Sequence, residues 1–528
     1  MKHLTGLFLS ICVLFSLAAC GTADKEKDSS PSRTESSGFT ESSSTEASSS
    51  VSGENPGEAS IDPEESVPEA VETPRDPLPG VIDLERENGS LIQFISQEDF
   101  SSFTVNGASS GGDGSFRLKQ DGDHYQPLGV CTSPLIKTDE FTELMLSWNA
   151  SLPLTTSVGL EVRVRILQPQ PDSSGKEIWS QWFSFGEYAP GVERVITDQE
   201  DELASFQSGV LTTNGNPASA LQLRATLRTS DISLTPTLRS VYVSLRDGRN
   251  AAPGDSGDTE DDVNWLVTLA VPSVSQQQCH TFISETASVP CCLSMLMTEQ
   301  GLEMLPEVIA LASGENSCTN FNNLSFGTAF AGACGFNAYA AYTDLSGLKR
   351  EIAAGYPAAI MVSYTGDPDN TSGLPFVEGA PGEQRDHMVV LRGFTAINGE
   401  LYAVVNDPAA ETAGQVRKTY RLDQLMAAWD GRACFVHPSE NGTENPIEER
   451  KLELRAEGDG FRLYNPDSGS PFKYGEHSVF IQMKDGKVVS FLHPVHNSIF
   501  LLDKSASGCE LWVVTDLGIL YRADIPKE

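Results

Sequence analysis

Ser288-Val289-Pro290-Cys291-Cys292-Leu293-Ser294-Met295-Leu296-Met297 is the stretch on which the fold of this chain turns. Its apolar residues predict a helix over Leu293 to Gln300, with Ser288 near the helix start, where a serine side chain can cap a free amide of the first turn. Three further pieces stand around it. Val271-Pro272-Ser273-Val274-Ser275-Gln276 lies upstream, and Asp386-His387-Met388-Val389-Val390 and Val405-Asn406-Asp407-Pro408 lie downstream. In chemical order these are an amide donor, a helix N-terminus, a histidine entering a strand and an acid after the next strand. A helix N-terminus favours negative charge and activates a nucleophile placed there. A histidine can serve as its base, and a carboxylate can orient that histidine.

The surrounding segment, 264–440, mixes periods. Asp344 to Ala354 reads as a helix stopped by Gly355. Ala358 to Val362, Met388 to Leu391 and Leu401 to Val405 read as buried strands, so this part is α+β. Upstream, from 80 to 250, the pattern alternates at period two, as in Leu160 to Ile166, Leu221 to Leu227 and Val241 to Leu245. Such runs have one buried and one wet face and predict an antiparallel β-sandwich. Trp179-Ser180-Gln181-Trp182-Phe183-Ser184-Phe185-Gly186-Glu187-Tyr188 lies among them, as core aromatics or as a sugar or peptide platform. A Gly/Asp-rich linker, Ala251 to Asp262, separates the two regions. Residues 441–528 return to short strands, with Asp485-Gly486 as a hairpin signal, and read as a small β appendage.

The first residues address the chain outside the cytoplasm. A basic start, an apolar run from Leu4 to Leu17 and Leu17-Ala18-Ala19-Cys20 have the order of a secretory signal, with residues 1–19 as the signal peptide. The apolar run is shorter than the roughly 20 residues of a membrane span. Cysteine at the cleavage point resembles a lipobox, which implies lipid on Cys20, and two acyl chains suffice for stable anchoring. Residues 20–78, rich in Ser, Glu, Thr and Pro, cannot bury enough surface to fold and read as a disordered stalk. The expected place is the cell envelope, lipid-anchored and facing outward. A net charge of −37 repels phosphate backbones and argues against nucleic-acid partners. Outside the cytoplasm some bridging is expected among Cys131, Cys279, Cys291, Cys292, Cys318, Cys334, Cys434 and Cys509. The spacing of Cys279, His280, Cys291 and Cys292 fits no usual zinc pattern, and no nucleotide loop is present, so neither metal nor cofactor is expected.

Taken in order, the four pieces of 264–440 resemble the C39-like peptidases, a branch of the papain-like cysteine peptidase fold. That family has Gln, then Cys-Gly-Pro-(small)-Ser opening a helix, then His starting a strand, then Asn-Asp-Pro. Asn323-Leu324-Ser325-Phe326-Gly327-Thr328-Ala329-Phe330-Ala331 is similar to a segment of one bacterial extracellular subgroup, in which a β-rich region with a Trp-Phe-Ser-(apolar)-Gly stretch precedes the peptidase domain; Trp182 to Gly186 matches it. The resemblance implies Gln276 as oxyanion donor, His387 as base and Asp407 as its orienting partner. Alignment on Pro290 and Met295 puts Ser288 where the family has its nucleophilic cysteine, with Val289 for Gly or Ser and Cys292 for Ser or Thr.

Three readings of that departure stand open. Ser288 is a working nucleophile; or Cys291, one helical turn on, replaces it; or catalysis is lost and the groove binds peptides or the cell wall. Whether the chain is an enzyme is therefore open. The expected architecture is an antiparallel β-sandwich, an α+β papain-like C39-type domain and a small β appendage, in a lipoprotein that acts on or binds a peptide or an envelope protein. If Cys20 carries the anchor, Cys20→Ser shifts the protein from the membrane to the soluble fraction and abolishes palmitate incorporation; retention on the membrane would refute it.

Overall fold

The computed structural model describes residues 90–169, 175–249, 264–314, 320–439, 450–495, 498–502 and 506–526. The signal, Cys20, the stalk, the linker Ala251 to Asp262 and Cys318 lie outside them.

The alternating region folds as two antiparallel sheets, of eight and seven strands. Thr156–Pro169 pairs along its length with Ala218–Thr229. Its Leu160, Val162, Val164 and Ile166 are buried, while Glu161, Arg163 and Arg165 between them are half-exposed. The aromatic stretch divides by the same alternation. Phe183, Phe185 and Tyr188 are core, whereas Trp179 and Trp182 are half-buried on the outer face. The Arg163 guanidinium stacks over both indoles, at 4.6 and 4.8 Å, and that of Arg224 over Trp182 at 4.4 Å. Cation–π stacking thus occupies ring faces that a sugar platform would need.

In the next region we label the helices α1 (Ser288–Glu299), α2 (Pro306–Ser313), α3 (Leu324–Ala333), α4 (Leu345–Ala353) and α5 (Leu422–Ala428). The strands are β1 (Asn337–Tyr342), β2 (Ala358–Thr365), β3 (Glu383–Ile397), β4 (Glu400–Asn406), β5 (Arg417–Arg421) and β6 (Trp429–His437). They form one antiparallel sheet in the order β1-β6-β2-β3-β4-β5. Helix α1 packs on β3, so Met388 to Leu391 are fully buried, which explains their unbroken apolar run. The helix begins five residues before the expected Leu293, because Pro290 falls in the first turn, where a backbone N–H has no intrahelical partner to lose. Asp344 caps α4 by accepting from the Gly347 amide at 2.8 Å.

As the edge of its sheet, β1 would leave alternate amides without partners. The first region supplies them. Amides of Ala338, Ala340 and Tyr342 donate to Asn149 Oδ1, Ser147 Oγ and Ser244 Oγ at 3.2, 3.1 and 2.9 Å. This accounts for buried polar residues on strand Glu143–Ser151, whose second face is covered rather than wet. Gly332 at the end of α3 sits so close that a Cβ would lie 2.3 Å from Asn149 Oδ1. Arg194, 2 % exposed, donates to the Gly314 and Leu311 carbonyls that follow and close α2, at 2.7 and 2.6 Å.

Residues 450–526 form a five-stranded sheet and a two-stranded hairpin around a small core of Leu452, Leu463, Phe480, Phe500, Leu511 and Val513. Asp485 and Gly486, at φ 49° and 76°, turn the hairpin between Val479–Lys484 and Lys487–Leu492. Disulfide bridging is overturned for the described cysteines. Cys131, Cys279, Cys291, Cys292, Cys334 and Cys434 are free thiols, buried like small apolar residues, and Cys509 is buried too, accepting from Gln482 Nε2 at 3.4 Å.

Candidate active site

Asp407 follows β4 and is fully buried. Four donors from four segments meet its carboxylate. His387 Nε2, on β3, lies 2.9 Å from Oδ1, which also accepts from the Ala409 amide at 3.0 Å. Oδ2 accepts from Tyr364 Oη on β2 at 2.6 Å and Tyr420 Oη on β5 at 2.8 Å. Burial pushes the Asp407 pKa up, yet the charge and hydrogen bond of His387, the Tyr364 hydroxyl and the Ala409 amide outweigh it and hold the carboxyl below its ordinary value. In turn, burial and the Asp407 charge drive the Tyr364 and Tyr420 hydroxyls far up, so both stay donors. The tyrosines were not picked out in the sequence, where each is one aromatic residue in a strand.

The backbone also shapes this end of β3. The β2–β3 register shifts between Val362 and Tyr364, opposite His387, and Asp386 takes a left-handed φ of 46°. Irregularities of this kind re-aim a neighbouring side chain. Asp386 is held there by its amide to Ser363 Oγ at 3.0 Å and by Arg432 Nη2 on its carboxylate at 2.7 Å.

Ser288 is the first residue of α1 and 2 % exposed. It does not cap the helix; Ala287 stands at the cap, without a side-chain bond. Ser288 Oγ instead donates to Asn322 Oδ1 and accepts from the Met388 amide, both at 3.3 Å. That amide bond brings Ser288 against the strand residue next to His387. The other ring nitrogen, His387 Nδ1, has no hydrogen-bond partner among the described residues. It is the atom of the ring left open to take a proton.

Gln276 opens a short 3-10 turn, Gln276–Gln278, and is 3 % exposed. Its amide donates to the Pro408 carbonyl at 2.9 Å, beside Asp407. The approach to it is held by Arg392 Nε on the Leu269 carbonyl at 2.8 Å and by Asn406 Nδ2 on that of Pro272 at 2.8 Å. Gln276 Oε1 is buried without a partner among the described residues. That oxygen can only accept, so it is open to a donor arriving in the site, and donation to an oxyanion would fall to Nε2 of the same side chain.

Cys291 has the setting of a core thiol. It is fully buried, 3.8 Å from Cys279 Sγ, and burial raises its pKa despite the Cys279 contact. Cys292 donates to the Met388 carbonyl at 3.3 Å, and burial with the Asp407 charge pushes its pKa well up. A nucleophilic thiol needs the opposite environment, which argues against Cys291 as the replacement.

Residues 268–435 match the family model described as Peptidase_C39 like family, and residues 91–245 match that of the Peptidase C39 N-terminal domain. The chain thus carries a C39-like peptidase domain behind an N-terminal domain of C39 type. No curated protein matches it in sequence. Among solved structures it is similar to the peptidase domain of Streptococcus ComA, a bifunctional ABC transporter involved in quorum sensing, at 17 % identity and TM-score 0.23 over 32 % of this chain and 98 % of that one. It is also similar to digestive procathepsin L 3 of Tenebrio molitor larval midgut, at 13 % and 0.25 over 36 % and 73 %. A third likeness, at 15 % and 0.14 over 31 % and 62 %, is to carbohydrate-binding modules from the β-sandwich superfamily. Superpositions this loose say nothing about activity.

Tyr364→Phe and Tyr420→Phe each leave Asp407 one donor short and should cost about 1–3 kcal/mol of stability, read from the urea midpoint. A carboxyl held below its unfolded-state value, roughly 3.9, contributes stability that is present above that value and lost as pH falls through the folded one. Either substitution raises the folded value, so acid unfolding should begin at higher pH than in the parent chain.

Proposed function

We propose that this is an extracytoplasmic lipoprotein, anchored through Cys20, whose papain-like C39-type domain acts on peptides with Ser288, His387, Asp407 and Gln276. The observation that carries the reading is the buried His387–Asp407 pair, with Nδ1 unpartnered and Ser288 against the adjoining residue. In the reaction, Ser288 Oγ bonds to the peptide carbonyl carbon and its proton passes to His387 Nδ1. Asp407 stabilises the resulting imidazolium, and the Gln276 side-chain amide donates to the developing oxyanion. The proton then goes to the departing amine, and water releases the acyl group by the same route reversed. A peptide or envelope protein is the expected partner, and the net charge of −37 disfavours nucleic acid.

One observation favours a second reading, a peptide-binding domain without turnover. The single proton of Ser288 is directed at Asn322, not at His387. A serine hydroxyl does not ionise near neutral pH and depends on its base.

Incubation of the purified chain with a mixed peptide library, read by mass spectrometry, separates the two. Turnover should fall by about a hundredfold or more in His387→Ala, the share a general base supplies. Cleavage unchanged in that variant would end the catalytic reading, and saturable binding without cleavage would establish the second.

A further inference from the structure

The loop from Cys279 to Ala287 separates the Gln276 turn from Ser288, and the C-terminal β unit is packed on it. The Phe282 ring stacks on that of His477 with centroids 4.6 Å apart and planes within 4°. His280 meets Phe491 edge-on at 5.2 Å and His493 at 5.4 Å. On its inner side Phe282 abuts Phe321 at 5.8 Å, and the next residue, Asn322, holds the Ser288 hydroxyl. Contact therefore runs without a gap from the appendage to Ser288. The family match ends at residue 435, so these contacts come from outside the C39-like region.

Three of the chain's eight histidines meet in this one contact. His280 Nδ1 accepts the Phe282 amide at 3.2 Å, which requires that nitrogen to carry no proton. The titratable groups around His280 are Cys279 beside it, His493 from the appendage and Glu307 on α2, whose Oε1 accepts the His280 amide at 3.1 Å. Burial raises the Glu307 pKa, so on acidification Glu307 tends to lose its charge and is a poor counter-ion for an imidazolium. Burial, and then His493, lower the His280 pKa. A histidine held below its free value, about 6.5, favours the packed loop fully above that value and progressively less as pH falls beneath it.

We propose that the C-terminal β unit is a positioning element for the site, and that His477, Phe491 and His493 clasp the Cys279–Ala287 loop at neutral pH and release it when His280 is protonated. Release frees Phe282 from His477 and loosens the loop that spaces Gln276 from Ser288. A binding domain and a peptidase would both be affected, so the inference stands independently of turnover.

Hydrogen–deuterium exchange on the intact chain tests it, at about pH 7.5 and about pH 5, on either side of the histidine range. Exchange chemistry itself changes with pH, so protection factors are compared. Protection over residues 279–287 should fall by about tenfold or more at the lower pH, while β3 keeps its protection. In His280→Asn an amide oxygen can accept from Phe282 without titrating, so protection should hold; in His493→Gln burial still holds His280 below its free value, so protection should still fall at the lower pH, but by less than in the parent chain. Equal protection of the parent loop at both pH values would overturn the proposal, as would an unchanged pH response in both variants. Should His280→Asn open the loop at both pH values, His493→Gln decides, because it leaves the Phe282 amide bond intact.

Discussion

A carboxylate cut off from water must be met by donors on all sides, and Asp407 sets that constraint on the whole C39-like region. Its four donors come from β2, β3, β5 and the turn after β4. Three strands and a turn must be in register before the charge is satisfied, because an ionised group left unpaired at this depth costs several kcal/mol. The same requirement fixes the tautomer of His387. With Nε2 bonded to Asp407, Nδ1 is the nitrogen left for chemistry.

The flanking units serve the same end. Ser147, Asn149 and Ser244 close the open edge of β1, and Arg194 ties down the carbonyls at the end of α2. A sheet whose edge is capped by side chains of another domain cannot slide against it, so the two regions behave as one frame. On the opposite flank, the C-terminal sheet adds aromatic contacts to the loop before α1.

Much of the architecture was legible because period and position carry it. Alternation in Leu160 to Ile166 marked a strand with one wet face, and the unbroken run Met388 to Leu391 marked one covered on both. His387 and Asp407 are paired through the family resemblance, and the structure brings them together because Val390 lies opposite Asn406 in the antiparallel β3–β4 pair. What could not be read depends on partners distant in sequence. Nothing local in β2 or β5 says that Tyr364 and Tyr420 converge on one oxygen. Ser288 read as a helix cap because serines often are, but its hydroxyl is taken by Asn322 and Met388, from segments far along the chain. Bridges were expected from cysteine number and compartment, yet each described thiol has found a place in the core. The role of His280, His477 and His493 was hidden for the same reason, since three isolated histidines have no pattern.

On the reading proposed above, the chemistry turns on the hydroxyl of Ser288. His387 is bonded to the buried Asp407, and the Gln276 backbone amide bonds the residue after Asp407, while Cys291 and Cys292 are packed away. The most direct test is to treat the chain with serine-directed and thiol-directed peptide electrophiles and locate the modified residue by mass spectrometry. The account predicts an adduct on Ser288 that disappears in His387→Ala; an adduct on Cys291 or Cys292, or none on the folded chain, would contradict it.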